Sequence, residues 1–201
     1  MELVFATGNP GKVLEAQQIC DSLGERYGIR VTVRPMPERV DIPETGTTYE
    51  ENSAQKASFI WEKYHLNCFA DDSGLEVDAM GGAPGVHTAR YCNHNFEKGI
   101  GQLLDELSSL GAVAPAQRRA SFECCITLIL DGEVHSFRGH CPGQISMDRF
   151  GDGGFGFDPV FIADATPGQC MAQLDDSVKN SISHRAIALE KMFEFLVGLK
   201  K

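Results

Sequence analysis

The chain has 201 residues, 42% of them hydrophobic, which suits one folded domain, residues 1–201, with a sizeable core arranged in one body or two lobes. Eighteen Lys and Arg against twenty-eight Asp and Glu leave a net charge of −10, which argues against a protein that coats nucleic acid or an anionic membrane. The opening MELVFATGNP has no basic n-region, no stretch is long enough to span a bilayer, and seven cysteines without CxxC spacing suit buried reduced thiols, so the expected setting is cytoplasmic.

ELVFAT, residues 2 to 7, reads as a buried strand, and in the TGNPGK that follows Asn9 is placed to cap a helix with Pro10 in its first position. Val13, Ala16, Cys20, Leu23 and Tyr27 give that helix an apolar stripe and leave Lys12 at its mouth. RVTVRP is a second strand. The polar loop DIPETGTTYEEN leads into another helix, with Thr48 and Glu51 as a capping box, Ala54, Ala57, Trp61 and Tyr64 as its apolar face, and Asn52 and Lys56 together on a different face. NCFADDSGLEVDAM reads as a strand, a tight acidic turn and a second strand, and GGAPG as loop.

Ile100, Leu103, Leu104 and Leu107 mark a helix over 96–110, followed by a loop around Gly111 to Arg119. SFECCITLIL and GEVHSFRGH, joined by Asp131 and Gly132, predict a hairpin with a type I′ turn. GDGGFGFDP contains GxGxxG at Gly151, Gly153 and Gly156, with Asp175 and Asp176 about twenty residues on, the offset of a dinucleotide fingerprint. That fingerprint needs a strand before the glycines and a helix after them. Here QISMDRF precedes them and Pro159 with a VFI strand follows, so the dinucleotide reading fails on context. SHRAIALEKMFEFLVGL is a closing helix capped by Ser183, its core face Ala186, Leu189, Phe193 and Leu196. Strands alternating with helices, plus a hairpin, give an α/β protein with a mixed sheet.

Polar groups gather at element ends in four segments. In TGNPGK, helix-start N–H groups and the Lys12 ammonium suit a phosphate, although a plain capped helix explains the same residues. Asp71 and Asp72, one carboxylate facing each way, suit a magnesium ion, although Asp-Asp-Ser-Gly taken alone is more often just a turn; Glu44 in another loop, with Lys12, Lys56, Lys179 and Arg185, raises the odds of the metal. In KNSISHR, His184 and Arg185 stand in the first turn of a helix, where cations oppose the dipole; they either meet an acceptor-rich ligand such as a purine edge or solvate a helix end. His135, His140 and Cys141 lack a partner pair at metal-ligand spacing and read as strand-end residues.

Taken together, TGNPGKVLE at 7–15, IPETGTTYEENSAQKA at 42–57, ADDSGLEVDAMGGAPGVHTARY at 70–91, GGFGFDPVF at 153–161 and KNSISHRAIAL at 179–189 resemble the inosine/xanthosine triphosphate pyrophosphatase family, over nearly the whole chain. The resemblance implies an elongated mixed sheet with flanking helices, in two lobes around a central nucleotide cleft. It implies Mg²⁺-dependent hydrolysis of ITP, dITP and XTP to the monophosphate and pyrophosphate, usually by a homodimer. Thr7, Gly8, Asn9, Pro10, Gly11 and Lys12 would hold the triphosphate and Lys56 would reach it. Glu44 and Asp72 would address the metal, Asp72 also being the proton acceptor; a carboxylate bound to magnesium is a poorer base, so both roles stay open. Ser73, Phe155, Gly156, Phe157, Asp158, Lys179, His184 and Arg185 would form the rest of the nucleotide site, the glycines letting backbone lie against the ligand. Two departures stand out: Phe157 where the family usually has Tyr, and Cys170 and Gln173 where it more often shows Thr and Glu. The rival readings are a Maf-like pyrophosphatase of pyrimidine or modified nucleotides, and a catalytically silent nucleotide-binding protein.

Overall fold

The structure is a computed structural model that describes residues 1–38, 40–93 and 95–199. In chain order its elements are β1 (Glu2–Phe5), α1 (Pro10–Tyr27), β2 (Thr32–Pro35), α2 (Tyr49–Tyr64), β3 (Cys68–Val77), β4 (Pro84–Gly85), α3 (Thr88–Tyr91), α4 (Phe96–Ser109), β5 (Arg119–Leu130), β6 (Glu133–Ile145), β7 (Phe161–Ala163), α5 (Asp176–Ile182) and α6 (His184–Gly198). The strands pair in the order β2-β1-β3-β5-β6-β7, with β4 on β3. β2 and β3 run parallel to β1, whereas β4 and β7 are antiparallel to β3 and β6, so the sheet is mixed and the fold α/β. The chain divides into two compact units, the first comprising Met1–Asp72, Cys124–Gly139 and His184–Lys201, the second Ser73–Glu123 and His140–Ser183.

In the first unit, strand alternation sorts the core onto two faces. Leu3 and Phe5 of β1 and Phe69 of β3 pack with Ala16, Ile19 and Leu23 of α1 and with Leu189, Met192 and Phe193 of α6. Val4, Ala6, Cys68 and Ala70 point the other way, onto Ala57 and Ile60 of α2. Asn9 caps α1 as expected, and Gly28, at φ 68°, ends it in the left-handed conformation. The hairpin turn is also as expected, Asp131 and Gly132 both having positive φ (50° and 89°).

Two elements differ from their reading in the sequence. α2 buries Tyr49, Asn52, Ser53, Lys56, Ala57 and Ile60, and leaves Ala54, Trp61 and Tyr64 only half-buried. The helix accepts polar groups on its inner face because each finds a partner there, such as Ser53 Oγ with Thr127 Oγ1 at 2.8 Å. β3 is one unbroken strand through Asp71 and Asp72, with no turn between two strands. Its pairing with β1 at one end and β4 at the other overrides the local turn preference of Asp-Asp-Ser-Gly.

The second unit has its own core, in which Leu75 and Val77 of β3 meet Ile100, Leu103 and Leu107 of α4, with Phe122, Ile145, Phe157 and Phe161. The buried Arg118 guanidinium donates to the carbonyls of Ala112, Ile145 and Ser146 at 2.8, 2.8 and 2.7 Å and so fixes the start of the glycine loop. The loop then folds onto its own chain: Gly153 N–H donates to Ala172 O at 3.1 Å. A Cβ on Gly151 or Gly153 would fall 2.5 or 2.9 Å from the Ala172 main chain, so these glycines make room for backbone of the protein itself. A tight helical turn, Asp158–Val160, separates this loop from β7, which therefore starts one residue later than VFI suggests. α3 and α5 are too short to show apolar periodicity and were not anticipated. All seven cysteines are free and buried, burial pushing the Cys20, Cys68 and Cys141 thiols up to about 12. Among the described residues no helix is long and apolar enough to cross a membrane.

Candidate active site

The alternation that sorts the core of the first unit also sorts its charges. Asp71 continues the face of Phe69, toward α1 and α6, and Asp72 continues the face of Ala70, toward α2. Asp71 Oδ1 accepts from Lys12 Nζ at 2.9 Å. Its Oδ2 accepts from Arg185 Nε and Nη2 at 2.9 and 2.7 Å, and Arg185 Nη1 donates to Glu15. Burial alone would raise the Asp71 pKa, but Lys12, Arg185 and Lys56 outweigh it and hold the carboxyl far below the usual range. Arg185 shows the converse: burial opposes its charge, and Asp71 and Glu15 more than compensate.

On the opposite face, Asp72 Oδ2 accepts from Asn52 Nδ2 at 3.0 Å and Oδ1 lies 3.4 Å from Lys56 Nζ. Lys56 also donates to the Glu44 carboxylate. Burial raises the Asp72 pKa above the ordinary carboxylate value despite the opposing pull of Lys56 and Asn52. For Lys56, burial is outweighed by Asp72, Asp71 and Glu44, so its ammonium is held charged. Two carboxylates converging on one ammonium show two hard oxygen donors facing one cation position. That donor set fits magnesium, which commonly takes one or two carboxylates and completes its shell with water and substrate phosphate. Among the described residues no group of three or more His, Cys, Asp or Glu is arranged to hold a metal, and water or ligand oxygens would complete the shell of an ion on these two carboxylates.

Thr7, Gly8, Asn9, Pro10, Gly11 and Lys12 form the entry to α1. Asn9 Oδ1 accepts from Gly11 N–H at 2.9 Å and Lys12 N–H at 3.4 Å, and Thr7 Oγ1 accepts from Asn9 N–H at 3.2 Å. The capped-helix reading is thus realised, with Lys12 in the first turn and its ammonium against Asp71. His184 opens α6 as a buried residue beside Arg185.

The remaining residues cluster in the second unit. Asp158 Oδ2 accepts from Phe155 N–H and from Lys179 Nζ, both at 2.8 Å, and Lys179 Nζ lies 4.4 Å from the centre of the Phe155 ring. Asp158 and Lys179 are buried, while the Phe155 ring is 39% exposed. Gly156 needs its positive φ of 68°, and Ser73 is half-buried at the start of this unit's part of β3. Phe157, expected at the ligand, is 1% exposed and packs on Tyr91 and Phe96, with ring centres 6.5 and 5.8 Å away. Its missing hydroxyl therefore concerns the core. The exposed Gln173 takes Cys170 N–H at 2.9 Å within its own turn.

Sequence reasoning did not assign Glu15 or Asn52. Both had a signal: Glu15 lies three residues beyond Lys12 and Asn52 four before Lys56, each on the same helical face as a lysine already singled out. His135 and His140 pair locally with Glu133 and Glu123, and Cys141 belongs to the second core.

The family model described as the Ham1 family matches residues 3–195. A Porphyromonas gingivalis protein named dITP/XTP pyrophosphatase is 41% identical, over 99% of both chains. The structure of a HAM1 protein from Coxiella burnetii superimposes with a TM-score of 0.84 at 33% identity, covering 98% of this chain and 99% of that one. That of the Staphylococcus aureus Ham1 protein gives 0.80 at 35%, covering 99% and 100%.

Proposed function

Since the chain belongs to the Ham1 family, we propose that it hydrolyses ITP, dITP and XTP to the nucleoside monophosphate and pyrophosphate. The observation that carries this reading is the Lys56 ammonium joined to both Glu44 and Asp72, on the opposite side of β3 from Lys12. Hydrolysis at an anionic phosphorus needs charge neutralisation and an oriented water more than a covalent nucleophile, and this set supplies cations and carboxylates for both.

In this reading Lys12 and the entry of α1 hold the triphosphate, and Lys56 neutralises it from α2. Glu44 and Asp72 would hold Mg²⁺, which when bound would supply further charge neutralisation at the phosphates and acidify water. Water attacks the α-phosphorus, the new P–O bond forms as the α–β anhydride breaks, and the bond's electrons leave with pyrophosphate. Asp72, held by Asn52 and Lys56, orients that water and takes its proton. In the second unit Phe155, fixed by Asp158 and Lys179, offers a face for the purine. His184 offers a donor to a 6-oxo group, where the 6-amino group of adenine would leave donors unpaired. A homodimeric state, usual in the resembling family, and a cytoplasmic setting are part of the same proposal.

Pyrophosphate release from ITP, XTP, dITP, GTP, ATP, dTTP and UTP, with and without Mg²⁺, tests it. The expected result is turnover of the three non-standard purine nucleotides only with Mg²⁺ present. Preference for dTTP or UTP would replace it with the Maf-like reading, and binding without turnover with the silent one.

A further inference from the structure

The loop that carries Glu44 is held by side chains of α2. The Thr45 and Gly46 N–H groups donate to Gln55 Oε1 at 3.0 Å and Asn52 Oδ1 at 2.8 Å, and the Thr47 N–H donates to Glu51 Oε2 at 2.6 Å. Three successive backbone donors next to Glu44 thus meet three acceptors on one helix. Asn52 differs from the other two because its amide works at both ends: the oxygen takes Gly46 N–H, and the nitrogen donates to Asp72 Oδ2 at 3.0 Å. Neither end can be reversed, since a backbone N–H requires the oxygen and a carboxylate requires the NH₂. The contact leaves little slack: a Cβ on Gly46 would lie 2.8 Å from Asn52 Oδ1. Asn52 itself is buried, 2% exposed, so no water substitutes easily at either end.

We propose that Asn52 is a positioning residue that fixes the two catalytic-side carboxylates relative to each other, orienting Asp72 through its amide nitrogen and the Glu44 loop through its amide oxygen. The inference rests on the hydrolytic reading above and adds to it a residue that touches neither substrate nor metal. A fixed spacing between Asp72 and Glu44 matters because both must meet one cation, and small misplacement of such groups is costly in rate.

Two variants separate the two ends. Asn52→Leu removes both bonds at similar volume. Asn52→Asp keeps an acceptor for Gly46 N–H but faces Asp72 with a like charge, and it is assayed at alkaline pH, where both carboxylates are ionised. Both should lose roughly tenfold to a hundredfold in kcat for ITP with KM changed less than about threefold, the scale of one hydrogen bond to a charged group. The second readout needs no turnover: Mn²⁺ binding to the protein alone, followed by electron paramagnetic resonance, should weaken about tenfold or more in Asn52→Leu. Gln55→Ala, which loosens only the loop, should weaken Mn²⁺ binding while sparing most of kcat at saturating Mg²⁺. The idea is overturned if either Asn52 variant keeps kcat within about twofold, or if Asn52→Leu only lowers Tm while folded enzyme binds Mn²⁺ normally. If the wild type releases no pyrophosphate, the hydrolytic reading fails instead, and the Mn²⁺ comparison still judges the role of Asn52.

Discussion

Asp71 and Asp72 are neighbours in the chain, yet strand geometry gives them opposite electrostatics. Asp71 meets two cations on one face of β3, whereas Asp72 shares one cation with Glu44 on the other. Burial raises the folded-state pKa of Asp72 beyond what Lys56 and Asn52 offset, so as pH climbs past the unfolded value its ionisation costs the folded state. Removing that charge should therefore stabilise the fold at pH 7 and above: Asp72→Asn is expected to melt at higher temperature than wild type in EDTA and, with Mg²⁺ present, to release no pyrophosphate from ITP. A lower Tm, or retention of most turnover, would overturn the assignment. For Asp71 the sign is reversed. Burial is outweighed by Lys12 and Arg185, so its stabilisation is present above the ordinary carboxylate range and is lost as pH falls below about 4. Arg185 spends Nε and Nη2 on Asp71 and Nη1 on Glu15, and is 1% exposed, which points to bracing of Lys12 through Asp71 ahead of base reading. Arg185→Ala leaves two carboxylates without their guanidinium and should cost about 3–5 kcal/mol of stability. The milder Arg185→Lys should lower kcat/KM for ITP, XTP and GTP by a common factor. A collapse of selectivity between ITP and GTP in Arg185→Lys would restore the guanidinium to the base.

Elements built on apolar periodicity were legible, and those built on polar partners were not. α6 buries the stripe its spacing predicts, α1 buries Ala16, Cys20 and Leu23 of its stripe with Val13 and Tyr27 half-buried, and the hairpin turns where Asp131 and Gly132 allow positive φ. α2 was legible as a helix through its cap, Glu51 N–H on Thr48 Oγ1 at 3.1 Å, but not in its buried face, because hydrophobicity does not reveal that Asn52 and Lys56 have carboxylates waiting. The strand through Asp71 and Asp72 was misread for the same reason: its turn-prone residues are held extended by distant pairing. The glycines of the loop announced close approach without saying what approaches, and at Gly151 and Gly153 it is Ala172. Gly139 in β6 is a like case. A Cβ there would lie 1.9 Å from His184 O and 2.7 Å from Ala188 N, so the strand abuts the backbone of α6 where no side chain can yield. Gly139→Ala must displace the start of α6, and should cost about 1–3 kcal/mol or more by overpacking. Thermal melts should show the drop, and pyrophosphate release should fall with it because α6 carries His184 and Arg185; a wild-type Tm would mean the helix moves freely.

At the scale of the molecule, the division into two units does not follow the order of the chain. The first unit is assembled from three separated stretches and the second from two, and β3, β5 and β6 each run from one unit into the other. This arrangement makes the last stretch indispensable to the first. α6 contributes Leu189, Met192, Phe193 and Leu196 to the core that also holds β1 and α1, all at 2% exposure or less. Four such side chains stabilise by about 1.5–3 kcal/mol each, a total on the order of the entire stability of a typical domain. A chain ending at Ser183 also leaves Asp71 and Glu15 buried without Arg185, which adds a charge penalty to the lost packing. Such a chain should show no cooperative melt and no pyrophosphate release, although every residue of the second unit is present. The full chain should melt in one transition, with calorimetric and van't Hoff enthalpies in agreement, because three strands shared in the backbone tie the loss of one unit's sheet to the other's. Two resolved transitions, or a truncated chain that melts within about 5 °C of the full one, would mean that the second unit holds its structure without the first.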